Sequence, residues 1–235
     1  MKMDSKVDYC DFLPQNSTRT RENVEWVQFY SFNAAEEDAP RILSIGDSIC
    51  CQYKDFLREK LGKKVNLSSW GTCKCVTDLT YLKELDHILD FNKYDLLLFN
   101  NGLHSLGTPL DEWEMAYNRT LDFIAAKLPH VPVSLLLCTP LANEEKTGIS
   151  RKLNEITLAI AEKRNLPVVD LFTPMDKLDR QKYWSDEYHF KDPAKIMQSE
   201  ILASHVEKVL EEKIAAFAGK VLQKSSDTGP FGRIL

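Results

Sequence analysis

The sequence predicts an α/β protein with a mainly parallel sheet of five strands. Two observations support this fold class. Five short apolar runs alternate along the chain with stretches whose apolar residues recur every three or four positions, as strands alternating with helices do. The apolar runs also lack regular polar alternation, which is expected when helices cover both faces of a sheet. Such alternation is typical of layered α/β domains.

The individual elements follow from the length and spacing of these runs. Apolar spacing such as that of Leu82, Leu85 and Leu89 predicts helices, and Pro193 suits the first turn of the last helix because proline lacks an N–H. The predicted strands span residues 41–47, 65–67, 95–101, 133–139 and 167–171. The predicted helices span residues 51–61, 79–89, 111–128, 149–160 and 193–217.

Three segments are expected along the chain. Residues 1–40 are polar and irregular apart from an aromatic patch at 26–32, which predicts an arm packed on the main domain. Residues 41–218 hold the alternating pattern and form the predicted domain. Residues 219–235 lack periodicity and include the sequence SSDTGP, which predicts a flexible C-terminal tail.

Composition excludes several classes of protein. The 235 residues are 43% hydrophobic and carry a net charge of −5, which argues against wholesale disorder and against a nucleic-acid partner. No apolar run reaches the ~18–20 residues of a membrane span. The N-terminal sequence MKMDSKVDYCDF lacks the apolar core of a secretory signal, so a cytoplasmic protein with six reduced cysteines is expected. Residue spacings suggest neither a metal site nor a cofactor motif.

Three residues could form a nucleophilic catalytic set. Ser48 follows the first predicted strand, while Asp186 and His189 follow the last, and ligands of parallel sheets bind beyond the carboxyl ends of strands. A serine hydroxyl needs a base within hydrogen-bond reach, and that base needs an orienting group. Asp186 lies three residues before His189, so its carboxylate can hold one ring nitrogen while the other accepts the Ser48 proton. The competing interpretation of Ser48 is a helix N-cap.

These residues carry a family resemblance. The sequence Gly46-Asp47-Ser48-Ile49 after the first strand, with Asp186-x-x-His189 before the last helix, resembles the SGNH/GDSL hydrolases over roughly residues 41–210. The resemblance implies a flavodoxin-like three-layer α/β/α sandwich. It also implies that Ser48 is the nucleophile, His189 the base and Asp186 the residue that orients the base.

The oxyanion hole matches the family pattern less closely. The resemblance implies backbone N–H donors at Ser48 and at Gly71, after the second strand. The family's third donor is an asparagine two positions after a glycine, but alignment on Gly102 places His104 there. An imidazole N–H can donate like an amide, so His104 is the favoured third donor, and Asn101 is the alternative.

The resemblance implies a serine esterase that acts on a short acyl ester, with acetyl favoured and a carbohydrate as the alcohol. Four residues beside the motifs are candidate substrate contacts: Asp47, Trp70, Trp184 and Tyr188. The expected partner is a small-molecule or glycan ester. Three alternatives stay open, namely a lysophospholipase or thioesterase, a binding protein that has lost catalysis, and a scaffold that forms a homo-oligomer through the aromatic arm.

Overall fold

The computed structural model describes residues 7–13 and 22–227, and its centre is one six-stranded sheet. The strand order is β1-β3-β2-β4-β5-β6, in which β1 is antiparallel to β3 and every other neighbouring pair is parallel. The mainly parallel sheet predicted from the sequence is thereby confirmed. The strands are β1 Val27–Ser31, β2 Arg41–Gly46, β3 Asn66–Thr72, β4 Leu96–Phe99, β5 Val133–Leu136 and β6 Val168–Val169.

The sixth strand comes from the N-terminal arm, so the predicted count of five was one too few. Strand β1 forms one edge of the sheet and pairs with β3 from Val27 opposite Thr72 to Ser31 opposite Ser68. Its aromatic residues pack within the same chain, since Phe29 lies edge-on against Phe91. Residues 1–6 and 14–21 of the predicted arm lie outside the described residues.

Helices cover both faces of the sheet and complete three layers. Because successive strand residues point to opposite faces, Leu43 and Ile45 join one apolar cluster while Ile42 joins the other. The first cluster is completed by α2, α3 and α4, and the second by α1, α5 and α7. The α-helices are α1 Ser48–Leu61, α2 Tyr81–Leu89, α3 Leu110–Lys127, α4 Glu144–Arg164, α5 Phe172–Asp176, α6 Arg180–Tyr183, α7 Asp192–Val209 and α8 Glu211–Asp227. Two 3-10 turns, Tyr9–Phe12 and Leu103–Ser105, accompany them.

The C-terminal region differs from the prediction. The predicted last helix is two helices, α7 and α8, which are separated at Leu210. Leu210 is buried against the second cluster, so the chain turns there to bury an apolar side chain. Helix α8 also continues to Asp227 through much of the segment predicted as a flexible tail, and residues 228–235 lie outside the described residues.

The six cysteines are free thiols, and four of them are buried: Cys50, Cys73, Cys75 and Cys138. None of the helices in the described part of the chain combines the length and the apolar character needed to cross a lipid bilayer.

Candidate active site

Ser48 is the first residue of α1, directly beyond strand β2. The residue that caps this helix is Asp47, whose Oδ1 accepts from the N–H of Ile49 at 2.9 Å. The cap leaves the Ser48 hydroxyl available for other partners. The N-cap of α1 is therefore Asp47, and the competing interpretation of Ser48 as the N-cap is wrong. Because the first N–H groups of a helix have no intrahelical acceptor, the Ser48 N–H finds no acceptor within α1.

Asp186 and His189 lie in a short loop between α6 and α7. The loop is closed by an antiparallel bridge between Trp184 and Phe190, whose ring centroids are 4.5 Å apart. Within it, the N–H of Ser185 donates to the carbonyl of His189 at 2.8 Å. The closed loop thus fixes the backbone on both sides of His189.

A continuous hydrogen-bonded chain joins the three predicted catalytic side chains. Nε2 of His189 lies 2.8 Å from Oγ of Ser48, and Nδ1 of His189 lies 2.8 Å from Oδ2 of Asp186. Ser48 and His189 are 141 positions apart in sequence. The fold therefore brings together a hydroxyl, an imidazole and a carboxylate in the order needed to move a proton away from the hydroxyl.

The carboxylate of Asp186 is favoured in its ionised form. Partial burial raises its pKa, but hydrogen bonds from the Tyr188 N–H, the His189 side chain and the His189 N–H outweigh burial, so the net pKa is lowered. The two N–H groups donate to Oδ1 at 2.8 and 2.9 Å. An ionised carboxylate here accepts from Nδ1–H and leaves Nε2 as the acceptor that faces Ser48.

Of the two candidates for the third oxyanion donor, His104 lines the cleft beside Ser48. Asn101 does not fill this role. Its side chain is buried and joins two loops, since Nδ2 donates to the Lys74 carbonyl at 2.8 Å and Oδ1 accepts from the Val76 N–H at 3.0 Å. Both ends of the amide are therefore occupied by backbone groups.

Gly71 lies close to the backbone carbonyl of Asp47, but its N–H points away from the start of α1. The N–H of Cys73 donates to Trp26 O and the N–H of Phe32 donates to Leu67 O, so odd-numbered residues of β3 face β1. Gly71 stands opposite Gln28 in this register, which directs its N–H toward β1. The expectation that Gly71 supplies an oxyanion donor is not supported. Its small size instead makes room for α1, since a Cβ there would lie 2.2 Å from Cys51 Sγ.

Of the four predicted substrate contacts, only Tyr188 lines the cleft. Trp70 is fully buried in the first apolar cluster, where it packs against Tyr81. Trp184 is buried and packs against Phe190. Asp47 is buried as the α1 cap, and its Oδ2 also accepts from the Leu103 N–H at 3.4 Å. These three predictions failed because sequence proximity to a motif does not show which way a side chain points.

The cleft at Ser48 has a volume of about 480 Å³ and includes residues that the sequence reasoning did not select. Glu22 and Trp26 reach it from the N-terminal arm, and Leu103, Leu106 and Gly107 reach it from the loop after β4. The aromatic patch was the one available signal for Trp26, but nothing local in the sequence indicated that Glu22 would reach this site.

Metal-ligating side chains are not grouped here. Among residues 7–13 and 22–227, no three His, Cys, Asp or Glu side chains come together in a way that could hold a metal ion.

Comparisons with known proteins agree on the fold. No family model matches the chain, and no match is found among curated proteins. Among solved structures, a GDSL-like lipase from Bacteroides thetaiotaomicron is 15% identical with a TM-score of 0.61, and the match covers 72% of this chain and 89% of that chain. A carbohydrate esterase of family 3 from Talaromyces cellulolyticus is 12% identical with a TM-score of 0.60, covering 74% and 99%. A variant of an acetyl esterase with acetate ion is 11% identical with a TM-score of 0.59, also covering 74% and 99%.

The chain therefore has the α/β/α fold of the SGNH/GDSL hydrolases. This confirms, at the level of the fold, the resemblance predicted from the Gly46–Ile49 and Asp186–His189 motifs.

Proposed function

We propose that this chain is a serine esterase that hydrolyses a short acyl ester, with an acetyl group favoured and a carbohydrate as the alcohol. The observation that carries the proposal is the hydrogen-bonded chain from Ser48 through His189 to Asp186, with both links at 2.8 Å. Ser48 and His189 also line the 480 Å³ cleft, so an ester bound there meets the hydroxyl directly.

The reaction is acyl transfer to water in two steps. Ser48 Oγ attacks the ester carbonyl carbon while its proton passes to His189 Nε2, and the carbonyl oxygen becomes an oxyanion. His189 then gives the proton to the departing alcohol, which leaves an acyl-serine. Water attacks this second ester, its proton passes through His189 to Ser48, and the acid is released. Asp186 stabilises the charged imidazole in each step.

Two donors support the oxyanion in this proposal. One is the backbone N–H of Ser48 at the start of α1, where the helix dipole also favours negative charge. The other is the side chain of His104, which lines the same cleft.

The preference for a short acyl group and a sugar rests on the cleft and on the similar structures. Trp26 and Tyr188 line the cleft together, and aromatic rings of this kind offer flat amphipathic surfaces to a sugar face. The names of two similar structures, a carbohydrate esterase and an acetyl esterase, point to the same substrate class.

Hydrolysis of p-nitrophenyl acetate, butyrate and octanoate tests the proposal. We expect acetate to be the best substrate and Ser48→Ala to lower kcat by at least about 10⁴-fold without loss of folding, because the nucleophile is removed. Ser204→Ala, an exposed serine on α7, is the matched control and should keep full activity. A fluorophosphonate should label wild type and Ser204→Ala but not Ser48→Ala.

Other outcomes would redirect or remove the proposal. Full turnover by Ser48→Ala would show that Ser48 is not the nucleophile. A preference for octanoate would favour the lysophospholipase or thioesterase alternative. An unlabelled wild-type protein without turnover would favour a binding protein.

A further inference from the structure

The rim of the cleft is marked by two exposed residues among those that line it. The other lining residues in the described part of the chain are buried or half-buried, whereas Glu22 and Gly107 are exposed. Oε1 of Glu22 lies 2.5 Å from Nδ1 of His104, and Trp26 packs edge-on against the same ring with centroids 5.9 Å apart. Side chains therefore meet where the arm reaches His104, while Gly107 contributes no side chain to the rim.

Neither of two common structural reasons for a glycine applies at position 107. A glycine is required where φ is positive, or where a neighbouring group leaves no room for a Cβ. The φ of Gly107 is not positive, and a Cβ at this position would meet no heavy atom within 4 Å beyond its chain neighbours. At Gly71, by contrast, a Cβ would lie 2.2 Å from Cys51 Sγ. The small size of Gly107 is thus needed neither by the backbone nor by packing.

The turn that carries Gly107 is held on both sides. The N–H of Ser105 donates to the Gly102 carbonyl at 2.9 Å, and the N–H of Thr108 donates to the Ser105 carbonyl at 2.9 Å. Ser105 is buried, and Leu106 packs against both apolar clusters. A side chain added at Gly107 would therefore extend from a fixed point on the rim.

The size of the cleft indicates which part of an ester needs this space. Its volume of about 480 Å³ lies within the range of about 300–1,000 Å³ that is usual for small-molecule pockets. An acetyl group occupies only a small fraction of this volume, so most of the cleft is available to the alcohol. Because the acyl carbon has to reach the half-buried Ser48, a large alcohol must extend from there toward the rim.

We propose that Gly107 is a specificity-determining residue, which keeps the cleft open for an alcohol the size of a six-membered ring, such as one sugar unit. The inference rests on the proposed esterase function and deepens it, because it names a residue that sets the size of the alcohol. A side chain at position 107 takes up part of the space for a ring and leaves the reaction at Ser48 unchanged for a small alcohol.

Three acetyl esters that differ only in the alcohol test the proposal, with acid release measured by titration at constant pH. They are vinyl acetate, p-nitrophenyl acetate and a monoacetylated methyl glucoside. Gly107→Ala, Gly107→Leu and Gly107→Phe should keep kcat/KM on vinyl acetate within about twofold of wild type. On the two ring-sized esters kcat/KM should fall as the added side chain grows, by at least about tenfold in Gly107→Phe, because the clash is specific to the larger alcohol.

The ratio of kcat/KM between vinyl acetate and each ring-sized ester is the decisive quantity, because any general loss of activity cancels in it. Gly219→Phe is the matched control, since Gly219 is an exposed glycine of α8 outside the cleft whose Cβ would also meet open space. It should leave the ratio unchanged. The melting temperature of each Gly107 variant should equal or slightly exceed that of wild type, because the added side chain meets no neighbour and glycine is the more flexible residue when unfolded.

The failure of this inference can be told apart from failure of the esterase proposal. A wild-type protein labelled at Ser48 by a fluorophosphonate, with the same ratio in Gly107→Phe as in wild type, would overturn the inference alone. An equal loss on all three esters in Gly107→Phe would also overturn it, since the residue would then act on the reaction itself. Absence of both labelling and turnover in wild type would overturn the esterase proposal and this inference with it.

Discussion

At the scale of single residues, Asp186 has two structural tasks in the loop that carries the candidate base. Its Oδ1 accepts two backbone N–H groups and so holds the loop, while its Oδ2 meets the imidazole of His189. Because the two oxygens serve different partners, a substitution that keeps one oxygen can separate loop stability from orientation of the base.

Asp186→Asn makes this separation. The amide oxygen can still accept from the N–H groups of Tyr188 and His189, so the melting temperature should change little. The amide NH₂ would then face Nδ1 of His189 and select the tautomer with a proton on Nε2, which cannot accept from Ser48. We expect kcat on p-nitrophenyl acetate to fall by about 10⁴-fold. The measurement is kcat together with thermal unfolding.

Asp55→Asn is the matched control, since Asp55 is an exposed acid on α1 whose ionic partners are Lys54 and Arg58. It should keep full activity. More than a tenth of wild-type activity in Asp186→Asn would contradict an orienting role for Asp186.

The Ser48, Asp186 and His189 cluster could be predicted from sequence because each motif is local and follows a recognisable strand or precedes a helix. Glu22 could not be predicted in the same way. Its partner His104 is 82 positions away, and the pairing depends on how the arm crosses the sheet edge. Trp70 failed as a substrate contact for a related reason, because the side it faces depends on the register of β3 with both neighbouring strands.

At the scale of secondary-structure elements, an ionic cluster ties α4 to the short helices that precede the loop of Asp186 and His189. Asp176, at the end of α5, pairs with Arg151 of α4 at 2.9 Å and with Arg180 of α6 at 2.5 Å. Burial raises the pKa of Asp176, but hydrogen bonds from Arg180 and Arg151 outweigh burial and lower it overall. The lowered pKa means that ionised Asp176 stabilises the folded state.

Asp176→Asn should therefore destabilise the protein in a pH-dependent way. A carboxyl group whose pKa is lower in the folded state stabilises above its unfolded pKa, near 3.9, and loses that contribution as pH falls through the folded value. We expect a loss of about 1 kcal/mol in unfolding free energy from about pH 5 to 7. The difference from wild type should shrink below about pH 4. Urea unfolding of wild type and Asp176→Asn at several pH values measures this difference in unfolding free energy.

Glu59→Gln, an exposed change on α1, should leave the unfolding free energy unchanged over the same range. A difference between Asp176→Asn and wild type that stays constant down to pH 3 would contradict an ionic origin.

The longer elements between residues 41 and 209 could be predicted because helix and strand periods differ and these elements are long enough to show their period, whereas the short helices α5 and α6 are not. Three features could not. Strand β1 follows a polar segment and gains its stability from the β3 edge, so its sequence alone gives a weak signal. The break at Leu210 depends on burial in the second cluster, and helix α8 extends through residues with low apolar content.

At the scale of the whole molecule, the N-terminal arm connects the sheet edge with the cleft. Trp26 immediately precedes β1 and lines the cleft with Glu22, while β1 fixes the arm to β3 through backbone pairing. In this register Gln28 stands opposite Gly71 with its backbone N–H facing β3, whereas the N–H of Val27 faces away from the sheet. The backbone N–H of Gln28 therefore donates a hydrogen bond within the sheet, whereas that of Val27 does not.

Gln28→Pro should release the arm while Val27→Pro should not. Proline lacks an N–H and is tolerated in an edge strand only where the missing donor would face solvent. Gln28→Pro should therefore lower kcat on p-nitrophenyl acetate by up to about 10²-fold, because Trp26 and Glu22 would no longer line the cleft. Because β1 is an edge strand that contributes no buried residue to either apolar cluster, and only its Phe29 packs against the first one, the remaining sheet should stay folded at 25 °C. Val27→Pro should retain most of the activity.

Kinetics and circular dichroism of the two variants side by side would measure the difference in activity and in folding. Equal activity in both variants would show that the arm does not support the cleft through its pairing with β3.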